Sequence, residues 1–255
     1  MVDPWGVVAS VSLIAVTVAL SVTWRLDLHR PLVVAALRAV VQLLAVGVIL
    51  IPVLRSDAEL IWSWMWVLAM VALAVGVVRH RTRSSAGCPS LLTATVGVAL
   101  PLVVCLAVVF GLGVLPLQPI ALVPIAGIIL GNSHPATVAG ATRLQDQLVA
   151  DRGQIEAMLA LGFTPRVAVQ RTVQVAIRDA LLPQIERTNV VGLVALPGAM
   201  TGLILAGVDP IDAVMTQIVV MFLVLGAVGV TATYMTAAGA RQAFTSDLRL
   251  RRTTP

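Results

Sequence analysis

Lysine is absent from the 255-residue chain: all 17 of its Lys-or-Arg positions are arginine. A P-loop sets a lysine on the phosphates of its nucleotide, so this chain cannot carry one. Charge of either sign is scarce, at 11% of residues, while 59% are hydrophobic and mean hydropathy is +1.00. A soluble domain keeps about 25% charged residues. So little charge leaves an apolar surface suited to lipid rather than water. The two cysteines, Cys88 in a basic loop and Cys105 mid-span, lack metal-ligand spacing and do not indicate a disulfide framework, so both read as structural. The three histidines are equally uninformative about metal, because His29 and His80 fall in loops and His134 has no second ligand at chelating spacing. The net charge of +5 does not point to nucleic acid, since the arginines lie between apolar runs, where they set topology.

What the chain does have is apolar runs long enough to cross a bilayer. About 20 residues at 1.5 Å each cross roughly 30 Å of hydrocarbon. The runs are Trp5–Trp24, Leu32–Ile51, Ile61–Val78, Leu91–Phe110, Ile120 to about Ala141, Val190–Ala206 and Pro210 to about Ala240. The first has no basic residues before it and is too long for a signal-peptide core, so a retained helix is expected, with Asp3 as N-cap and Pro4 at its first position. Tryptophans at 5, 24, 62, 64 and 66 mark interfaces. The sixth run is short and is broken at Pro197-Gly198. The expected fold is all-α: a polytopic membrane protein of about seven transmembrane helices, residues 1–255 forming a single domain.

Arginine placement gives the expected orientation. With the N-terminus outside, the inside segments are 25–31, 79–90, 142–189 and the C-terminal tail. They hold Arg25, Arg30, Arg79, Arg81, Arg83, Arg143, Arg152, Arg166, Arg171, Arg178, Arg187, Arg241, Arg249, Arg251 and Arg252. Outside loops hold only Arg55 and instead carry Asp57, Glu59, Asp209 and Asp212. The positive-inside rule then gives N-out and C-in.

The inside loop at 142–189 is expected to fold. Gln154–Leu161 reads as a short helix closed by Gly162, and Thr164-Pro165 as the cap and first residue of the next. Val169, Thr172, Val173, Ala176, Ile177, Ala180 and Leu181 form one face of that helix; Gln170, Arg171, Gln174 and Arg178 take the other, and Pro183 ends or kinks it. Such a helix could lie on the anionic leaflet, or the helix–Gly–helix knob could dock into another protein. Spacing does not choose between them.

Glu156-Ala157 followed by Leu161-Gly162 resembles the EAA loop of ABC-transporter permeases, with Met158 where that loop has a second Ala and Leu-Pro delayed to 182–183. Flanking segments resemble a narrower group, the Fet-type permeases associated with iron export and plant aluminium tolerance. The matching stretches are Leu37-Arg38-Ala39-Val40-Val41-Gln42-Leu43, Gly131-Asn132-Ser133-His134-Pro135-Ala136-Thr137, the run 156–162, Val191-Gly192-Leu193-Val194-Ala195-Leu196-Pro197-Gly198-Ala199-Met200-Thr201-Gly202, the run 204–210, and Gln217-Ile218-Val219-Val220-Met221-Phe222. His134 departs from the Met expected in relatives. The resemblance implies a non-enzymatic permease subunit of an ATP-driven exporter of iron or another metal, in the inner (plasma) membrane. It further implies a homodimer paired with a separate ATPase that holds ATP and Mg. Glu156, Ala157, Leu161, Gly162, Thr164 and Arg166 would be the coupling element.

Polar residues inside spans are the candidates for a pathway. Arg38, one turn before Gln42, costs at least about 2.5–3.5 kcal/mol in lipid, so it either pairs within the bundle or contacts substrate. Asn132, Ser133, His134 and Thr137 surround Pro135, which is expected to break the fifth span; a broken helix either lines a cavity or has its freed carbonyls satisfied locally. Met200 and Gln217 complete the pathway set. Met200, Met215, Met221 and Met235 offer thioethers, although apolar packing explains them as well. Pro197, Gly198 and Gly202, with Gly127 and Gly131, suit hinges or close helix packing. No acidic residue falls deep within an expected span, so the counter-charge of Arg38 could be external: an anionic or ligand-chelated substrate would suit it, and a bare cation would be repelled. Two rivals remain in view. An ATP-independent secondary transporter or channel would want inverted repeats or an embedded carboxylate. A lipid-modifying enzyme would want a catalytic constellation near the interface.

Overall fold

The computed structural model describes residues 4–53, 60–82, 90–193, 195–245 and 249–250. Asp3, Arg55, Asp57, Glu59, Arg83, Cys88, Val194, Arg251 and Arg252, used above as cap, topology markers, loop thiol and motif residue, lie outside them. The described chain is helical, and its only β features are two isolated bridges. It divides into two compact units, Met1–Ala58 and Glu59–Pro255.

The first unit is a helical hairpin of α1 (Pro4–Thr23) and α2 (His29–Val53). Arg25 and Asp27 take left-handed conformations (φ 50° and 53°) to turn the chain, and Ser21 Oγ accepts the Leu28 amide at 3.1 Å to close the bend. Arg38 and Gln42 both lie exposed on α2.

The second unit holds α3 (Leu60–Arg81), α4 (Leu91–Gly111), α5 (Pro119–Ala150), α6 (Arg152–Ala160), α7 (Pro165–Ala168), α8 (Gln170–Val190), α9 (Gly198–Leu205) and α10 (Pro210–Gln242). Five described helices, α2, α3, α4, α5 and α10, are long and apolar enough to span a membrane, and α1 adds a shorter apolar stretch, Val11–Thr23. The chain is therefore a polytopic, all-helical membrane protein. Two helix starts carry side-chain caps. Ser90 Oγ accepts the Thr93 amide at 3.1 Å at the start of α4, and Asp209 Oδ1 accepts the Ile211 amide at 2.8 Å ahead of Pro210.

Val75, Val78, Val98, Leu102, Leu106, Leu122, Ile129 and Ala227 form the main core, joining α3, α4, α5 and α10. Two further clusters fix the order along the bundle. Ala136 of α5 packs with Ala180 of α8 and with Val224, Val228 and Ala232 of α10. Leu144 and Leu148 pack with Val169, Ala176, Ala240 and Ala243. Hence α5 and α10 run parallel here, and α8 runs antiparallel to both. At the charged end, Gln242 of α10 clamps the start of α4: its Nε2 donates to Thr93 Oγ1 at 2.8 Å, and its Oε1 accepts the Ser90 amide at 3.3 Å.

Three expectations change. The fifth span is not interrupted at Pro135: α5 is continuous over 32 residues and runs well past Ala141. Its flanking polar side chains bind backbone carbonyls one turn back, Asn132 Nδ2 to Ile128 O at 2.7 Å and Thr137 Oγ1 to Ser133 O at 3.0 Å, so the helix passes through the proline. The run 190–206 is not one helix either. α8 ends at Val190, a non-helical stretch follows, and α9 has only eight residues, about 12 Å, too short to cross a bilayer. Finally, the loop 142–189 is almost wholly helical, and much of it packs along the apolar helices rather than hanging below them.

Candidate functional site

The knob at the basic end forms as its sequence requires. α6 stops at Ala160, and Gly162 takes φ 87°, where any side chain would be strained. The Gly162 and Phe163 amides then bond to Leu159 O (3.0 Å) and Met158 O (3.1 Å), reversing the chain into Thr164-Pro165 and α7. Thr164 has the extended backbone of an N-cap, but its side chain makes no cap bond. Ile155 is buried, and it anchors the knob in the cluster with Leu144, Leu148 and Ala176. The opposite side is presented outward: Glu156, Ala157, Leu161, Gly162, Thr164 and Arg166 are all exposed, Leu161 at 78%. Glu156 makes one ion pair, Oε1 to Arg152 Nε at 2.8 Å, on the surface. The knob thus offers an exposed leucine, a phenylalanine (Phe163, 49% exposed) and two opposite charges on a stiff base.

Behind the knob, Thr172, Ala176 and Ala180 of α8 are buried, with Val173, Ile177 and Leu181 partly so, while Gln170, Arg171, Gln174 and Arg178 are exposed. The buried stripe of α8 therefore packs on α5 and α10 of the same chain. A hydrogen bond from Thr172 Oγ1 to Asp151 Oδ2, 2.9 Å, ties α8 to the end of α5. Between α7–α8 and the end of α10 lies a groove of about 990 Å³, with Arg166 and Arg241 on it and Val169, Val173, Ala240 and Phe244 beneath.

The pathway candidates separate. Arg38 and Gln42 belong to the first unit and the others to the second. On α5, Ser133 and Thr137 are buried, Asn132 and His134 half-buried, and Pro135 exposed. Met200 on α9 and Gln217 on α10 are both buried. Ser133 Oγ, His134 Nδ1 and Gln217 Oε1 are buried atoms with no hydrogen-bond partner among the described residues. Gly198, Gly202 and Gly131 have open space where a Cβ would stand, whereas Gly127 meets Met70 Cε at 3.3 Å. Pro197 caps the start of α9 in an extended conformation. Met235 fills the core against Gly97, and Met215 is exposed. Cys105 is buried in the main core, as its structural reading requires.

Two features escaped the sequence reading. The first is a pair of buried α10 threonines, Thr231 and Thr236, whose hydroxyls have no partner among the described residues. Thr137, Thr142, Thr188 and others instead bond the carbonyl four residues back. The second is the depth of α8. A Cβ on Gly140 would meet Ala180 Cβ at 3.6 Å, so these positions are level, and α8 then continues for ten residues toward the N-terminal half of α5. That course sets Glu186, Arg187 and Thr188 level with His134, Ser133 and Asn132. The stripe Thr172, Ala176, Ala180, Gln184, buried throughout, was the available signal: its four-residue spacing continues past Pro183. Among the described residues no group of three or more His, Cys, Asp or Glu side chains is placed to hold a metal.

Residues 4–244 match the sequence profile of Uncharacterised protein family (UPF0014). The "UPF0014 membrane protein STAR2" of Oryza sativa subsp. japonica is 36% identical over 223 residues, 86% of this chain and 76% of its own length. "Probable iron export permease protein FetB" of Escherichia coli (strain K12) is 33% identical over 214 residues, 84% of this chain and 81% of that one. "Protein ALUMINUM SENSITIVE 3" of Arabidopsis thaliana is 30% identical over 233 residues, 89% and 83% respectively. No solved structure matches.

Proposed function

This chain belongs to the UPF0014 family of membrane proteins, and we propose that it is the permease subunit of an ATP-driven exporter of iron or another metal cation. The observation that carries this reading is the knob. A rigid helix–Gly–helix element projects Glu156, Leu161 and Arg166 outward, while Ile155 roots it among helices long enough to cross the membrane. An exposed, well-anchored apolar tip with charges beside it suits a partner surface better than water.

In this reading the basic end is cytoplasmic, the N-terminus lies outside, and the membrane is the inner (plasma) membrane. α9 with the end of α8 takes the place of a seventh crossing. Two copies pair with two ATPase subunits, which supply ATP and Mg; this chain carries neither. ATPase closure moves the knob, and α5, α8 and α10, packed on the same base, transmit that movement to the pathway. Arg38, Gln42, Asn132, Ser133, His134, Thr137, Met200 and Gln217 are the proposed pathway residues, and Pro135, Pro197, Gly198 and Gly202 the positions that permit helix adjustment.

One feature favours a second reading, an ATP-independent transporter: Glu186 is an exposed carboxylate on α8, a helix packed against the long apolar helices α5 and α10. Affinity purification of the tagged chain separates the two. An ATP-binding-cassette ATPase should co-purify with the wild type and be lost with Glu156→Arg at unchanged folding. Full-rate cation movement by the reconstituted chain alone would leave only the second reading.

A further inference from the structure

The exposed part of the C-terminal half of α8 mixes apolar Leu182, Ile185 and Val190 with charge. The charge-free length of α5 ends at Arg143, and that of α10 ends at Arg241. Gly140 packs against Thr236 and Ala180, so both helices leave the apolar layer at nearly one level. With Arg143 taken as the edge of the apolar layer, Glu186, six residues on from Ala180, stands about 13 Å inside it, near the middle of a ~30 Å hydrocarbon layer. Glu186, Arg187 and Asn189 are all exposed there. Charges at that depth face a wet cavity or a partner, because lipid costs them several kcal/mol. Among the described residues neither Glu186 nor Arg187 makes an ion pair. Ser133 Oγ, His134 Nδ1 and Thr231 Oγ1 on α5 and α10 are buried inside the protein without partners among the described residues, so they do not open on this face.

We propose that the outward face of the α8 C-terminal half lines a water-filled translocation pathway, in which Glu186 is the carboxylate that draws in and steadies a divalent cation. Arg187, one residue on, limits how firmly the ion is held, so the ion passes rather than stays. The cation class rests on the exporter reading above. The water-filled face does not, and the test keeps them apart.

In a background lacking Cys88 and Cys105, single cysteines at Glu186 and Asn189 are treated with a membrane-impermeant cationic thiol reagent, in vesicles open to both sides. Gly153→Cys on the exposed knob base is the positive control, and Val103→Cys on the apolar outer face of α4 the negative one. Labelling at 186 and 189 close to the Gly153 rate supports the pathway, and labelling no faster than at Val103 overturns it, whether lipid or a tightly packed second copy covers the face. Manganese(II) should slow labelling of Asn189→Cys, and adding Glu186→Gln should raise the manganese concentration needed by about tenfold, a change of about 1.4 kcal/mol. Equal protection with and without the carboxylate overturns its role. No ATP or ATPase is required, so labelling succeeds or fails independently of the motor partnership.

Discussion

Gly140 of α5 and Thr236 of α10 meet so closely that a Cβ on the glycine would lie 2.6 Å from the threonine hydroxyl oxygen, with Ala180 of α8 closing the third side at 3.6 Å. Small residues at this crossing let three helices approach, and the knob hangs from the same three. A side chain at 140 would part α10 or α8 from α5. Gly140→Ala should lower the stability of the detergent-solubilised protein by about 1–3 kcal/mol, the usual cost of overfilling a packed interior. Thr236→Ala should restore most of that loss in a double-mutant cycle of thermal melts. Gly131→Ala, which meets open space, should be neutral or stabilising; equal damage at both glycines would sink the explanation.

Gln242 offers a second, polar clamp. It holds the start of α4 through Thr93 and the Ser90 amide. Gln242→Leu removes both contacts and leaves Thr93 with fewer partners, for an expected loss of about 1–2 kcal/mol. Limited proteolysis near residue 90 should speed up in the variant, and unchanged cleavage would mean that the clamp holds nothing.

The chain reversal at Gly162 is a backbone requirement. Its φ of 87° costs a residue with a Cβ about 1–2 kcal/mol. Gly162→Ala should therefore weaken ATPase co-purification, whereas Gly153→Ala, in open space without such a conformation, should not. If both variants retained the partner equally, the shape of the knob would not be what the partner reads.

Much of this was legible in the sequence. Pro165 as the first residue of a helix, the stop at Gly162 and the two faces of α8 were read from spacing, because local geometry decides them. Two things were not. Proline 135 looked like a break, yet a helix packed on both sides keeps its course, and Asn132 and Thr137 fold back onto carbonyls that a sequence cannot show. α8 read as a helix of the inside loop and not as a companion of the spans, because Arg178, Asp179, Glu186 and Arg187 deny it the hydropathy of a span. Only the structure shows it packed along α5 and α10.

The Arg152–Glu156 pair, 2.8 Å apart, sits on the surface with half-exposed side chains and has the Arg N-terminal to the Glu, the weaker helical order. Arg152→Ala should shift the melting free energy by less than about 0.5 kcal/mol. Glu156→Arg should be equally mild for folding while abolishing partner capture. A large loss of stability in either would assign Glu156 to the fold instead.

The charged face of α8 also constrains how the protein is made. A segment carrying Arg171, Arg178, Asp179, Glu186 and Arg187 cannot leave the translocation machinery for lipid unaided, as α3 or α4 can. Its binding groove is built partly by α10, which is synthesised after it. With α8 in the membrane as proposed above, its entry waits for α10, and the order of insertion departs from the order of synthesis. A chain released after Asp209 should leave a cysteine at position 189 open to reagent from the cytoplasm alone, and should be degraded as an unfinished product.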